Sequence, residues 1–283
     1  MRETATLRFL YHTAPGRMLL KLLVEPGVSR MAGLFLSSGA SKCLVPYYIR
    51  KHKIDMSDIE IPEKGFSSFN DFFTRKKKHL SCDLIYGHLI SPCDGFLTVS
   101  DIRENIVFDI KNTKFSLEDL LKDSRLAEKF QGGKALIFRL TPANYHRYCY
   151  AADGRLLCRR KIHGKLHCVR PIALRTTPVF AQNSREYQVV RTENFGTIVQ
   201  MEVGALLVGK IHNYKSPSGS NRVRAGAEKG YFEFGGSTII LLLPKDSISF
   251  HEKLYERNQR DGEIRVHIGE TIACALHPQK AAR

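Results

Sequence analysis

The chain has 283 residues, 43% of them hydrophobic and 25% charged, a balance that excludes a disordered chain or a fibre. Its 44 Lys and Arg against 28 Asp and Glu give a formal charge of +16, which favours an anionic partner: nucleic acid, an acidic lipid surface or a phosphorylated substrate. No apolar run approaches the ~20 residues of a spanning helix, since the longest clean one, Ile239–Leu243, stops at Pro244.

The opening MRETATLRFLYHTAPGR has no continuous apolar core, so no signal peptide is expected and any membrane role is peripheral. In RMLLKLLVEPG, Met18, Leu19, Leu22 and Leu23 recur at helical spacing before Pro26-Gly27 closes the segment. VSRMAGLFLSSG follows and ends near Gly39. KCLVPYYIRKHKID then interleaves aromatic and basic residues. Two readings stand side by side: helices packed on a core, or an interfacial arm. In the second, Tyr47 and Tyr48 lie at headgroup level and Arg50, Lys51 and Lys53 face anionic lipid. In FSSFNDFFTRKKKHL, Ser68 or Asn70 caps a short helix, and the run Arg75–Lys78 reads as a solvated face.

From Leu89 the texture becomes β-like, with runs LISPCDGFLTVS, ENIVFDI, GKALIFRLT, YQVVRT, GTIVQMEVGALLVGKI, YFEFGGSTIILLLPKD and EIRVHIGETIACAL. Asp94-Gly95, Asp153-Gly154 and Asp261-Gly262 punctuate them as turns. Only FSLEDLLKDSRLAEKF reads as a helix there, capped by Ser116 with Glu118 and Asp119 in its first turn. The fold class expected is α+β: a mainly antiparallel β core preceded by helical, membrane-facing segments. The division is a helical membrane-associating region over 1–80 and a β-rich catalytic core over 81–283.

Seven cysteines (43, 82, 93, 149, 158, 168 and 274) are dispersed without a CxxC pair, as in a protein with reduced thiols at a cytosolic face. Cys149, Cys158 and Cys168 with His146, His163 and His167 match no compact four-ligand spacing, so no metal is expected. Strand–GxGxxG–helix and GxxxxGK[ST] nucleotide cradles are absent from the sequence.

The densest signal is KGYFEFGGSTIILLLPKD. Adjacent Gly235 and Gly236 inside a β pattern mark either a bulge or hairpin turn, or a bend in which Ser237 attacks the carbonyl before it. SPCDG places Asp94 in a turn, and LTPANYHRYCYAADG sets His146 among aromatic residues with Arg147 beside it.

FNDFFTRKKK, ISPCDG, LTPANYHRY, the VGALLVGKI run and EKGYFEFGGST occur in the order seen in the phosphatidylserine decarboxylase proenzymes. The chain resembles that family from roughly Pro46 to Pro244. The resemblance implies self-cleavage between Gly236 and Ser237 into a β chain (1–236) and an α chain (237–283) that stay together as a heterodimer. Higher oligomerisation is left open. It also implies that Ser237 becomes a covalent pyruvoyl group, an electron sink that forms a Schiff base with the amine of phosphatidylserine and yields phosphatidylethanolamine and carbon dioxide. The partners so implied are phosphatidylserine and an anionic membrane surface, with the protein peripheral at the cytoplasmic face of the cell membrane.

One position departs from the family. Many members continue YHRxHxPxDG, and the second His, with the upstream Asp (here Asp94), is assigned to the self-cleavage relay; here that position is Cys149. Three accounts follow: His146 is the base in both steps, Cys149 acts as a thiolate lowered by its basic surroundings, or the chain matures slowly or not at all. The first is preferred, because neutral imidazole is abundant at pH 7. His167 is a further candidate imidazole. Two other functions compete: an uncleaved relative that binds acidic lipid, and a basic nucleic-acid binder using Arg155, Arg159, Arg160, Lys161, Lys165, Arg170 and Arg175. The second lacks any recognisable nucleic-acid module and leaves the Gly-Gly-Ser without a purpose.

Overall fold

The computed structural model describes residues 5–103, 116–169, 173, 178–205, 210–215, 220–235, 237–250 and 262–278. The expected strand ENIVFDI, Gly236, Asp261, Arg170 and Arg175 lie outside the described residues.

Helices come first: α1 (Ala5–His12), α2 (Ala14–Leu23), α3 (Pro26–Leu36), a 3-10 turn (Gly39–Cys43) and α4 (Leu44–His52). Thr13 Oγ1 accepts from Gly16 N and starts α2, while Pro26, expected to close that segment, instead opens α3, where a missing N–H is harmless. Leu20 and Val24 bury against the main core, but Met18 and Leu22 of the apolar face are 72% and 65% exposed. Met31, Leu34 and Phe35 of α3 are exposed as well.

After β1 (Ile59–Glu60), Ser68 caps α5 (Phe69–Phe73) by accepting from Asp71 N, and β2 (Lys76–Lys77) pairs with β1. Tyr48 is not at an interface but buried. Its hydroxyl donates to Pro142 O at 3.0 Å, and its ring meets Phe69, Phe72, Phe73 and Phe234 edge-on. Tyr47 is exposed, with Lys51 over its ring.

The remaining strands are β3 (His88–Ile90), β4 (Gly95–Asp101), β5 (Lys134–Leu140), β6 (Arg147–Cys149), β7 (Gly154–Ile162), β8 (Arg185–Thr192), β9 (Thr197–Val203), β10 (Ile211–Asn213), β11 (Arg222–Val223), β12 (Glu228–Phe232), β13 (Ser237–Leu243), β14 (Ile248–Phe250), β15 (Ile264–Val266) and β16 (Thr271–Ala275). An eight-stranded antiparallel sheet runs β11-β7-β8-β9-β13-β5-β4-β15, beside three-stranded sheets β10-β12-β6 and β14-β16-β3. Every residue of β13 is buried, which its unbroken Ile239–Leu243 run requires of a strand covered on both faces. The helix expected over FSLEDLLKDSRLAEKF (115–130) is two short ones, α6 (Leu117–Leu121) and α7 (Ser124–Glu128). Lys122 breaks it at φ 52°, and Asp123 caps the second by accepting from Leu126 N. Leu117, Leu120 and Leu121 pack into the same core as Ile239–Leu243, where each buried leucine contributes about 1.5–3 kcal/mol. The architecture is mixed α+β, with N-terminal helices on a large antiparallel core.

Candidate active site

Strand register gathers the expected residues at one end of the large sheet. Ser237 opens β13 opposite Leu140, the last residue of β5, and Thr238 pairs with Val203, the last of β9. Across β5, Gly95 opens β4 so close that a Cβ on it would lie 2.9 Å from Arg139 O. Asp94, one residue earlier, therefore belongs to this same end. So does His146, delivered by the turn that follows β5. Asn144 closes that turn, its Oδ1 accepting from Thr141 N and Oγ1 at 2.7 Å each.

His146 is fully buried. Phe232 N donates to its carbonyl at 3.0 Å, and its ring lies against Phe73 with centroids 3.9 Å apart. Phe73 also meets Phe234 edge-on at 5.1 Å, and Phe234 N donates to Asn70 Oδ1 at 3.2 Å. α5 is thereby pinned to the segment just before Ser237, and Phe73 bridges that segment to His146. Gly235 adopts φ +142°, a conformation that L side chains rarely take.

Neither ring nitrogen of His146 nor Ser237 Oγ has a hydrogen-bond partner, although all are buried. Burial, then the Arg75 guanidinium, push the imidazole down from 6.5 to about 3. The Asn144 carbonyl opposes this weakly, from outside hydrogen-bond geometry to either nitrogen. At neutral pH the ring is therefore uncharged, with both nitrogens lacking a partner.

Cys149 is buried between strands, its Sγ 3.8 Å from Ser91 O. Burial and then Cys82 push its thiol up, the reverse of the lowering expected from basic surroundings. Asp94 accepts from Ile268 N at 2.9 Å and has Lys77 Nζ at 3.7 Å and His267 Nδ1 at 3.9 Å. Among the described residues it makes no hydrogen bond to His146, Cys149 or Ser237. Arg147 is committed to the fold: Nε donates to Thr74 O at 2.7 Å, and Nη1 to Glu228 at 2.5 Å and Tyr214 at 3.2 Å. His167 stands near the end of β9: Asn183 holds its backbone N–H and C=O and also donates to Gly204 O, one residue beyond that strand. Its Nδ1 is buried without a partner, burial and then Lys165 push the ring down, and among the described residues it makes no hydrogen bond to Ser237 or Asp94.

Residues 69–274 match the family model of phosphatidylserine decarboxylase. The chain belongs to the phosphatidylserine decarboxylase family. It is 43% identical over 276 residues to phosphatidylserine decarboxylase proenzyme 2 of Clostridium acetobutylicum, covering 95% of this chain and 92% of that one. To the proenzymes of Ruminiclostridium cellulolyticum and Fusobacterium nucleatum it is 38% and 37% identical, covering 94% and 93% of this chain and 90% and 89% of theirs.

Membership in the decarboxylase family gives the orphaned atoms a chemical context. Sequence reading missed four residues near the site. Arg75 was absorbed into a charge run but is 4% exposed and acts on His146. Phe73 and Phe234 cover His146 and the segment ahead of Ser237, and the matching aromatic density of FNDFF and FEFGGS is the signal that links them. The imidazole beside Asp94, His267, was also missed, and no local pattern marks it.

Proposed function

We propose that the chain is a proenzyme that splits itself before Ser237 and then decarboxylates phosphatidylserine. The observation that carries this reading is the set of buried, unpartnered polar atoms on His146 and Ser237, in a chain whose family is phosphatidylserine decarboxylase. A native fold leaves few such atoms, so a cluster of them at one sheet end calls for chemistry.

In this reading, His146 takes the proton of Ser237 Oγ as the oxygen attacks the Gly236 carbonyl. The C–N bond breaks, the proton passes to the Ser237 nitrogen, and an ester joins the two chains. Loss of the Ser237 α-proton expels the Gly236 carboxylate and leaves a dehydroalanine. Water then replaces its nitrogen, which departs as ammonia, and the net reaction consumes one water. His146 is favoured over Cys149 because its ring is neutral at pH 7, whereas burial holds the thiol protonated. Asp94 serves electrostatically, as the carboxylate whose field reaches Arg75.

The pyruvoyl fits where Ser237 stands. The position is closed to solvent, and His146 offers two nitrogens without partners. That group supplies the electron sink for loss of carbon dioxide. His146 is placed to hold the proton that replaces the carboxylate, and Phe73 and Phe234 exclude water from it.

The substrate is a lipid. Among the described residues no helix is long and apolar enough to cross a membrane. Residues 1–80 attach the protein to the surface through exposed Met18, Leu19, Leu22, Met31, Leu34 and Phe35, with Arg17, Lys21 and Arg30 exposed among them. This replaces the arm built on Tyr48. Seven free cysteines suit the cytoplasmic face.

Intact mass of the denatured protein tests the first step. Two fragments, 1–236 and a ketoacyl-blocked 237–283, are expected, while S237A stays whole and inactive; a wild-type chain that never splits defeats the proposal. Sedimentation with vesicles tests the attachment. Binding is expected to favour anionic vesicles and weaken with salt, and M18S/L22S is expected to lower it at least several-fold. Equal binding by this variant and wild type removes the helical face from the account.

A further inference from the structure

Arg75 stands out among the buried cations of this fold. Arg185, 1% exposed, donates to the carbonyls of Leu120, Ala181, Asn183 and Asp119 at 2.7–2.9 Å. Arg147 has a carboxylate, and buried Lys229 is paired with Glu202. Arg75, 4% exposed, has among the described residues two long side-chain bonds, from Nη1 to Phe73 O at 3.5 Å and from Nη2 to Asn144 O at 3.3 Å. Its Nε is buried without a partner, and Phe72 lies under the guanidinium at 5.1 Å. Among the described residues no carboxylate comes within ion-pair distance. Asp94 reaches it only through its field and is itself held by Ile268 N and Lys77.

A guanidinium has five donors in a planar fork, and burying one with unfilled valence is unfavourable unless an anion completes it. Its neighbour is His146, whose two nitrogens are also unfilled. The incoming lipid headgroup carries two anions, a carboxylate and a phosphodiester. A cation fixed on the carboxylate opposes its loss, because negative charge leaves that group as the C–C bond breaks. The phosphodiester keeps its charge throughout, so a cation there can hold the headgroup while the other end reacts. A fork of N–H donors also matches two phosphate oxygens.

We propose that Arg75 is the anchor for the phosphodiester of the substrate headgroup and a determinant of specificity for phosphorylated over free amines. This rests on the decarboxylase reading above. The phosphate displaces the two long carbonyl contacts and takes up Nε.

The test uses mature wild-type protein and R75Q and R75K, with rates expressed per split chain, so that a maturation defect is read separately. In wild type, glycerophosphoethanolamine is expected to inhibit at least tenfold more tightly than ethanolamine. R75Q is expected to abolish that preference and to raise KM for dispersed short-chain phosphatidylserine tenfold or more, with a smaller change in kcat. R75K is expected to recover part of both. Equal inhibition of wild type by the two amines overturns the proposal without any variant, so a misfolded R75Q leaves it exposed to refutation. R75Q that retains the preference also overturns it. So does R75Q that loses inhibition by serine alone, which places Arg75 on the carboxylate. A chain that never splits or never releases carbon dioxide defeats the decarboxylase reading instead, and is seen before any Arg75 measurement.

Discussion

Two clusters of buried polar residues flank β6 and β12, and they are built on opposite principles. In the first, Lys229 Nζ meets Glu202 at 2.5 Å and Asn213 at 2.8 Å, while Asn213 Nδ2 reaches Glu186 at 2.8 Å and Tyr148 donates to His212 O at 3.2 Å. Glu202 Oε1 is its one atom without a partner. In the second, Arg75 Nε, both nitrogens of His146 and Ser237 Oγ have none. Burial is the same, but satisfaction is not. A polar group kept for the fold finds its partner within the chain, and one kept for chemistry leaves valence for a substrate or a reacting bond.

The sharpest break of this contrast is in chain splitting. H146A is expected to slow splitting at least 100-fold, the order contributed by a general base, while C149A leaves it within a few-fold of wild type. Time courses after cell-free synthesis measure both. Rapid splitting in H146A transfers the base elsewhere, and a block in C149A makes the thiol that base.

The next effect is thermodynamic. K229M leaves Glu202 buried and unpaired, and is expected to lower stability by about 3–5 kcal/mol in urea unfolding, with splitting per folded molecule unchanged. The double variant K229M/E202L is expected to recover most of the loss. If K229M splits slowly while fully folded, the first cluster is not purely structural.

The smallest effect is in pH dependence. Folded His146 stays neutral to about pH 3, whereas the unfolded chain protonates it near 6.5. Between those values the unfolded state binds the extra proton. The contribution to stability is therefore whole above ~6.5 and declines as pH falls toward 3. H146Q, which does not titrate, is expected to lose less stability than wild type between pH 6.5 and 4. Parallel urea midpoints across that range contradict the burial argument.

Elements whose pattern is local were legible in the sequence. β5, β8, β9, β13, β15 and β16 lie within runs of β-branched and apolar residues, and Ser68 and Ser116 cap the helices they precede. β7 was not, because GRLLCRRKI is charged on its exposed positions and reads as a basic strip; pairing with β8 makes it a strand. Lys122 in the left-handed region broke a helix that composition alone extends. At the site, Ser237 and His146 were marked by motif. Arg75 was misplaced and Tyr48 left between two readings, because a charge run and an aromatic-basic run look solvated until distant segments, Asn144 and Phe234, close over them. Burial of a long polar side chain is a property of the packed chain, and periodicity carries no record of it.

The position of β13 bears on what self-cleavage leaves behind. It is hydrogen-bonded along one side to β5, from Ser237 to Leu243, and along the other to β9, from Thr238 to Leu242. β15 closes the sheet beyond β4, and β16 is clasped between β14 and β3. The proposed cut before Ser237 therefore frees none of the described strands: β13 to β16 of the 47-residue fragment 237–283 stay woven through the larger partner as a central thread is held in cloth. Separating the two chains requires unravelling the sheet, so their union should outlast the peptide bond and share the thermal midpoint of the uncut precursor.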